Sequence, residues 1–371
     1  MNDLRFFPDE PPYVGKSFFR PNGSIKFDPI LTDQRYSFVV NLLSNSYWKE
    51  RIRTVADFGC SDLNFFRVLR SLRFLRTAYL VDIDEEMLKN NRMRAQPINS
   101  DYINRRDSPF HVEILRGSVD FFSEKMINLD AFVAIELIEH LFPPELERLP
   151  YNVFHLIKPQ IAIFTTPNSD FNILFATLPF NNFRHDDHKF EWSREQFQDW
   201  AENIVQRFPD YVVSLQGIGP GPEGAEEYGG CSQAAIFVRR PECVETQITP
   251  WEVQEYNAGA RMQTYDVILE CDFPHDERTR EEKISDCAMY HINQIEHRSR
   301  MDRDAEQYDY APFRLEIPLE KILGCVTQDH ATTQQELEAI LRGRPMQVEN
   351  GNVVIVSDDE EMGDEEDYEN Y

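Results

Sequence analysis

The sequence predicts an α/β protein built on a largely parallel sheet. Strand-like apolar runs alternate with helix-like stretches from residue 53 to residue 208. The first of those strands ends in an acid–glycine turn, VADFGCS, from Val55 to Ser61. Two further strand-like runs, YVVSLQGIG and SQAAIFVRR, are separated by a Gly-, Pro- and Glu-rich loop whose length suits an antiparallel pair at a sheet edge.

Element by element, residues 1–35 are rich in Pro, Phe and charge without a sustained period and read as a loop-like arm into a helix from Tyr36 to Trp48. TVADFG is a short buried strand, GCSD a turn, and Asn64 to Leu75 a helix; AYLVDID and EEMLKNNRMRAQ repeat the unit. HVEILRGS, LDAFVAIE and QIAIFTT supply the third, fourth and fifth strands, with ELERLPYNVFHLI as a helix before the fifth and Pro167 closing it. A helix from Arg194 to Phe208 precedes the antiparallel pair, and the domain is expected to span 36–240. An accessory extension, 241–345, contains the strand-like YDVILECDFP, the helical EEKISDCAMYHINQIEHRS and a Thr-capped helix in TTQQELEAILRGR. Residues 346–371 read as a disordered tail, since Ser357 to Tyr371 holds nine acidic residues and no basic one.

The 371-residue chain carries a formal net charge of −27, which opposes general adhesion to nucleic acid or anionic membrane. The charge is uneven: Met1 to Arg240 has 27 basic against 33 acidic residues, and the remainder 11 against 32. Arg67, Arg70, Arg73 and Arg76 recur every three residues in FFRVLRSLRFLR. On a helix they form a basic stripe, either a track for a phosphate backbone or a solvated face over apolar surface. The six cysteines show no zinc or redox spacing, and no run approaches the ~18 apolar residues of a membrane span. These features point to free thiols and a soluble, cytoplasmic protein.

The turn after the first strand lies where open α/β sheets bind nucleotides. Gly59 lets the backbone turn tightly against a ligand, and Asp57 can receive a ligand ammonium. Asp82, at the end of the second strand, stands near the spacing at which a carboxylate takes ribose hydroxyls, so an adenosine-type cofactor is expected. Gly117 and Ser118, closing the third strand, mark the adenine edge. The full G-x-G-x-x-G of dinucleotide enzymes is missing, with Ser61 in the turn where a further glycine would stand.

AIELIEHL places Glu136, Glu139 and His140 at i, i+3 and i+4, on one face of a helical turn. RHDDHKFEW carries His185 and His188 in the loop after the fifth strand, at the same sheet edge. Two carboxylates with imidazoles leave open coordination positions and suit Mg²⁺ or Mn²⁺ better than structural zinc. Neither H-E-x-x-H nor its inverse occurs, which argues against a metalloprotease.

FDPILTDQRY, DFGCSD, LVDID, RGS, IELIEHL, TTPNSDFN, DHKFEW and GCSQAAIF together resemble the small-RNA 2′-O-methyltransferases of the Hua-enhancer type, over residues 25–240. The resemblance implies a class I S-adenosylmethionine-dependent methyltransferase with a Rossmann-like seven-stranded sheet. It implies that Glu136, Glu139, His140 and His188 hold the metal, His188 rather than His185 because it precedes KFEW. Asp82 and Ser118 match cofactor contacts, and Ser61 departs from the family's usual glycine. The implied reaction is methylation of the 2′-hydroxyl of the 3′-terminal nucleotide of single-stranded piRNA or siRNA guides held by Piwi or Argonaute proteins, with residence in RNA granules. His185 is a candidate acceptor for the departing proton. A methyltransferase for protein or small molecules, with the Glu/His cluster structural, is the competing reading. Separately, Val353 to Glu361, VVIVSDDEE, has the pattern of a peptide that adds to a SUMO-type sheet edge.

Overall fold

The computed structural model describes residues 15–175, 178, 183–244, 264–305, 313–342 and 347–357. The chain divides into two compact units, Met1–Asp276 and Glu277–Tyr371.

The first unit opens with a hairpin, β1 (Lys16–Phe19) against β2 (Ile25–Asp28), in place of the expected loop-like arm. Its turn contains Asn22-Gly23, with Gly23 at φ +80°, the conformation that dipeptide favours in tight turns. The first helix starts at Leu31 rather than Tyr36 and runs to Leu43, burying Phe38, Val39, Leu42 and Leu43.

β3 (Thr54–Phe58), β4 (Thr77–Asp82), β5 (Phe110–Arg116), β6 (Ala131–Ile135) and β7 (Ile161–Pro167) form the parallel centre of the sheet. β8 (Tyr211–Pro220) and β9 (Gly230–Arg239) form the expected antiparallel pair, with β9 against β7. β10 (Asp266–Phe273) pairs antiparallel with β5, giving the order β10-β5-β4-β3-β6-β7-β9-β8. The sheet therefore has eight strands, and the YDVILECDFP run assigned to the accessory extension is one of them. Pairing covers the outer edge of β5, and Phe273 packs on Phe110 at a ring separation of 5.1 Å.

The helix after β3 spans Asn64–Leu69 and stops short of the expected Leu75. Buried Arg106 donates to the carbonyls of Arg70, Leu72 and Leu75, satisfying groups that a longer helix would have used. The arginine stripe is thus not one helical face: Arg70 pairs with Asp101, and Arg73 donates to the carbonyls of Asn104 and Arg105.

The second unit packs the helices Arg280–Ala305, Leu319–Val326 and Gln334–Arg342 with a sheet of order β11-β13-β12, where β11 is Phe313–Pro318, β12 Gln347–Glu349 and β13 Asn352–Ser357. Ile284, Ile292, Ile322, Leu337 and Val353 form its core. The tail expected to be disordered from 346 therefore begins as structure, and Asn350 and Gly351, at φ +50° and +76°, join β12 to β13. β13 pairs along its length with β11, and Asn352 to Val354 pair also with β12. Val353 and Val354 are thus paired on both sides and Ile355 to Ser357 on one, so the strand of the SUMO-type reading is part of this unit's own sheet; 358–371 lie outside the described residues. Among the described residues no helix is long and apolar enough to cross a membrane, and all six cysteines are free thiols.

Candidate active site

Because β3 to β7 run parallel, the turns after them gather at one edge of the sheet. After β3, the N–H groups of Gly59 and Cys60 donate to the Val81 carbonyl at 2.8 and 3.2 Å, which folds the turn onto β4. Gly59 has φ +76°, a left-handed conformation that favours glycine, and a Cβ there would also press on the Leu137 side chain at 2.9 Å from Cδ1. Ser61, the departure from the family pattern, also adopts a left-handed conformation, φ +45°, where glycine would be unstrained.

Asp82 accepts the Ser61 N–H at 2.8 Å on one carboxylate oxygen and the Asp84 N–H at 2.9 Å on the other. These bonds fix the carboxylate and leave lone pairs for ribose hydroxyls. Asp57 is different: it is 2% exposed, and its Oδ2 has no hydrogen-bond partner among the described residues. Burial, then the neighbouring charge of Asp82, pushes its carboxyl up to about 8. A buried acid in that state is a seat for a cation, as a cofactor ammonium requires.

Gly117 is needed for another reason, since a Cβ would meet the Tyr265 ring at 2.4 Å. The Ser118 hydroxyl donates to Asp120 at 2.5 Å, and its carbonyl accepts from the Tyr265 hydroxyl at 3.0 Å. Gly117 and Ser118 line a cavity of about 270 Å³ with Phe58 and Val81. Asp57 and Ser61 line a cavity of about 650 Å³. Gly59, Asp82 and His140 border both, so the two form one cofactor-sized cleft.

The expected metal face is built without an α-helical turn. Glu136 has φ +52°, and Ile138–His140 forms a 3₁₀ turn. The loop that follows β7 docks on this turn through the Lys189 N–H, which donates to the Glu139 carbonyl at 2.7 Å. That contact brings one ligand atom each of Glu139, His140 and His188 within 4.8 Å of one another.

Glu139 is fully buried; its Oε2 accepts from the Thr166 hydroxyl at 3.0 Å, while Oε1 has no partner among the described residues. Burial, then the nearby Glu136, pushes its carboxyl well above the ordinary range. His140 Nδ1 meets Asp187 at 2.9 Å and His188 Nδ1 meets Glu191 at 2.6 Å. Each carboxylate holds the proton on Nδ1 and leaves Nε2 with its lone pair, the arrangement of a metal-ready histidine. Burial also lowers the His140 pKa despite the Asp187 bond, which favours the neutral ring. Glu191 itself is raised by burial, but hydrogen bonds from His188, Asn172 and the Arg184 N–H outweigh that and hold it below its usual range. The unpartnered Glu139 oxygen and the two oriented imidazoles fit a divalent ion.

Glu136 stands apart from that trio. Its Oε1 accepts from the Thr165 hydroxyl at 3.0 Å, and its Oε2 meets Arg35 at 2.8 Å and the Ser232 hydroxyl at 3.3 Å. His185 is exposed, 5.6 Å from His188 between ring centroids, and its Nδ1 accepts the Asp187 N–H at 3.2 Å. A neutral His185 then presents an N–H, not a lone pair, to its surroundings. Sequence reasoning passed over Arg35, Thr165, Thr166, Asp187 and Glu191, although all lie inside the quoted FDPILTDQRY, TTPNSDFN and RHDDHKFEW. Asp187 and Glu191 had a local signal in their closeness to His188, whereas Arg35, Thr165 and Thr166 reach the site only through the fold.

Residues 281–357 match the family model described as "HEN1 methyltransferase C-terminal domain". A protein of Drosophila melanogaster named "Small RNA 2'-O-methyltransferase" is 37% identical over 343 residues, 91% of this chain and 86% of that relative. One of the same name from Gallus gallus is 32% identical over 330 residues, covering 87% and 83%. The crystal structure of "small RNA methyltransferase HEN1" is similar at a TM-score of 0.53 and 28% identity, over 68% of this chain and 29% of that one.

Proposed function

Because this chain belongs to the small RNA 2′-O-methyltransferase family, a family of S-adenosylmethionine-dependent enzymes, we propose that it methylates the 2′-hydroxyl of the 3′-terminal nucleotide of single-stranded silencing RNAs, piRNA or siRNA, presented by Piwi or Argonaute proteins, with a required Mg²⁺ or Mn²⁺. The observation that carries the metal requirement is the buried Glu139 oxygen without a partner among the described residues, beside two imidazoles oriented by carboxylates, one of which, His140, lines the cofactor cleft.

In this reading Asp57 receives the cofactor's ammonium, Asp82 its ribose hydroxyls, and Gly59 admits the backbone close to it. Glu139, His140 and His188 hold the ion, with Glu136 as the further ligand that the family resemblance names. A divalent ion bound there supplies Lewis-acid activation, lowering the pKa of a ribose hydroxyl that is a poor nucleophile at neutral pH. Asp187 and Glu191 keep the two imidazoles in register. Oriented ligands with open positions suit a vicinal diol, and thus an unmodified RNA 3′ end.

The test is methyl transfer to an RNA with a free 3′ end, compared with its twin ending in 2′-deoxyribose, with and without chelator. Transfer is expected only to the ribose form and only with metal. Equal labelling of the two RNAs, or activity in chelator, would overturn the assignment.

A further inference from the structure

Arg35 faces two sites at once. Its Nη2 lies 2.8 Å from Glu136 Oε2, and its Nε donates to Ser232 at 2.9 Å, with the Arg35 and Glu136 side chains only 17% and 16% exposed. It also lines the 650 Å³ cavity together with Asp57 and Tyr36, and is the only arginine or lysine among the described residues of that lining. S-adenosylmethionine brings an α-carboxylate as well as an α-ammonium into that space. Asp57 answers the ammonium; a partly buried carboxylate needs a cation of its own.

On the other side, Glu136 is committed to Thr165, Ser232 and Arg35 and lies outside the Glu139–His140–His188 group. A carboxylate bound to a guanidinium is a weak donor to a second cation, and the guanidinium's charge also opposes an ion nearby. Drawing Arg35 toward another carboxylate removes both obstacles.

We infer that Arg35 is shared between Glu136 and the α-carboxylate of the cofactor, so that cofactor binding frees Glu136 for the divalent ion and the two ligands bind cooperatively. The inference rests on the metal reading above. It makes Arg35 a positioning residue that acts on the metal through Glu136. By linkage, each ligand must tighten the other by the same factor.

The experiment measures Mn²⁺ binding to the full chain by the electron paramagnetic resonance signal of the free ion. The chain is tested alone, with S-adenosylhomocysteine, and with 5′-methylthioadenosine, which shares the nucleoside but lacks the amino acid. S-adenosylhomocysteine is expected to tighten Mn²⁺ about tenfold, a typical coupling between sites, and 5′-methylthioadenosine to leave it unchanged. Arg35→Met should bind Mn²⁺ tightly without nucleoside and show no coupling, whereas Arg35→Lys keeps a reduced coupling of the same sign. Identical effects of the two nucleosides on the unmodified chain, or full coupling in Arg35→Met, would overturn the inference while leaving the metal site standing. Mn²⁺ binding by His188→Ala equal to that of the unmodified chain would overturn the metal site, and this inference with it.

Discussion

The cofactor half and the metal half of the cleft each contain a buried acid with one oxygen that has no hydrogen-bond partner among the described residues, Asp57 Oδ2 and Glu139 Oε1. Their surroundings differ. Asp57 is raised by burial and by another acid, Asp82. Glu139 stands within 4.8 Å of ligand atoms from two imidazoles that are themselves held by carboxylates. A buried acid without imidazole neighbours calls for an organic cation that brings its own charge, whereas an acid beside imidazoles whose Nδ1 atoms face carboxylates calls for an ion needing several donors. The same kind of vacancy in hydrogen bonding thus points to two different ligands, and the neighbours decide which.

The comparison breaks most directly at His188. His188→Ala removes one of three donors and is expected to cost at least about a thousandfold in methyl transfer, because Lewis-acid activation is worth several kcal/mol. S-adenosylhomocysteine affinity should hold within about twofold in metal-free buffer, since His188 does not line the cofactor cleft. Isothermal titration alongside tritiated methyl transfer checks both, and a parallel loss of nucleoside binding would mean that the halves are not separate.

Asp57→Asn tests the opposite half. It keeps the shape but removes the charge that receives the ammonium, so S-adenosylhomocysteine should bind about a hundredfold more weakly, the upper range for a hydrogen bond to a charged group. Mn²⁺ affinity of the protein without nucleoside should be unaltered. A variant with undiminished nucleoside affinity would assign the ammonium to another group.

A smaller effect is expected where the metal half is supported from behind. Glu191 is buried and accepts from His188, Asn172 and the Arg184 N–H at 2.6 to 2.7 Å. Glu191→Gln replaces an acceptor oxygen with a donor facing donors, and should weaken Mn²⁺ about 10- to 100-fold, as loss of an orienting partner usually does. Unchanged Mn²⁺ affinity would show that His188 needs no such support.

These halves were also unequally legible in the sequence. The cofactor half is local: strand, turn and Asp82 recur at spacings that apolar runs and one glycine reveal. The metal half joins segments some 48 residues apart, Glu139–His140 and Asp187–His188, and depends on a left-handed Glu136 and a 3₁₀ turn that side-chain spacing read as a helical face. The eighth strand was hidden for the same reason, since β10 finds β5 across about 150 residues and no local pattern records that pairing. The hairpin of β1 and β2 was missed because its strands are four residues each and mostly exposed, leaving Asn22-Gly23 as the one clear signal. In the second unit VVIV was read as a strand for a partner's sheet, because its pairing with β11 and the burial of Val353 and Val354 depend on tertiary partners that no local pattern records.

The smallest expected effect sharpens the contrast through pH. The Asp57 carboxyl lies at about 8 in the folded, ligand-free protein against a reference near 3.8. Between these values the folded state binds more protons than the unfolded one, so stability falls as pH rises through this window and levels off above about 8. The melting temperature of the ligand-free protein should therefore decline from pH 5.5 to 8.5, and Asp57→Asn should flatten the part of that slope owed to this group. Saturating S-adenosylhomocysteine should flatten the same part in the unmodified protein, because its ammonium stabilises the ionised acid. 5′-Methylthioadenosine, without the ammonium, should leave the slope in place. Slope that survives in Asp57→Asn belongs to other groups raised by burial, Glu139 among them, and should respond to Mn²⁺ instead of to the nucleoside. Parallel melting profiles for Asp57→Asn and the unmodified protein would remove Asp57 as the unsatisfied acid and leave the cofactor half without the feature that sets it against the metal half.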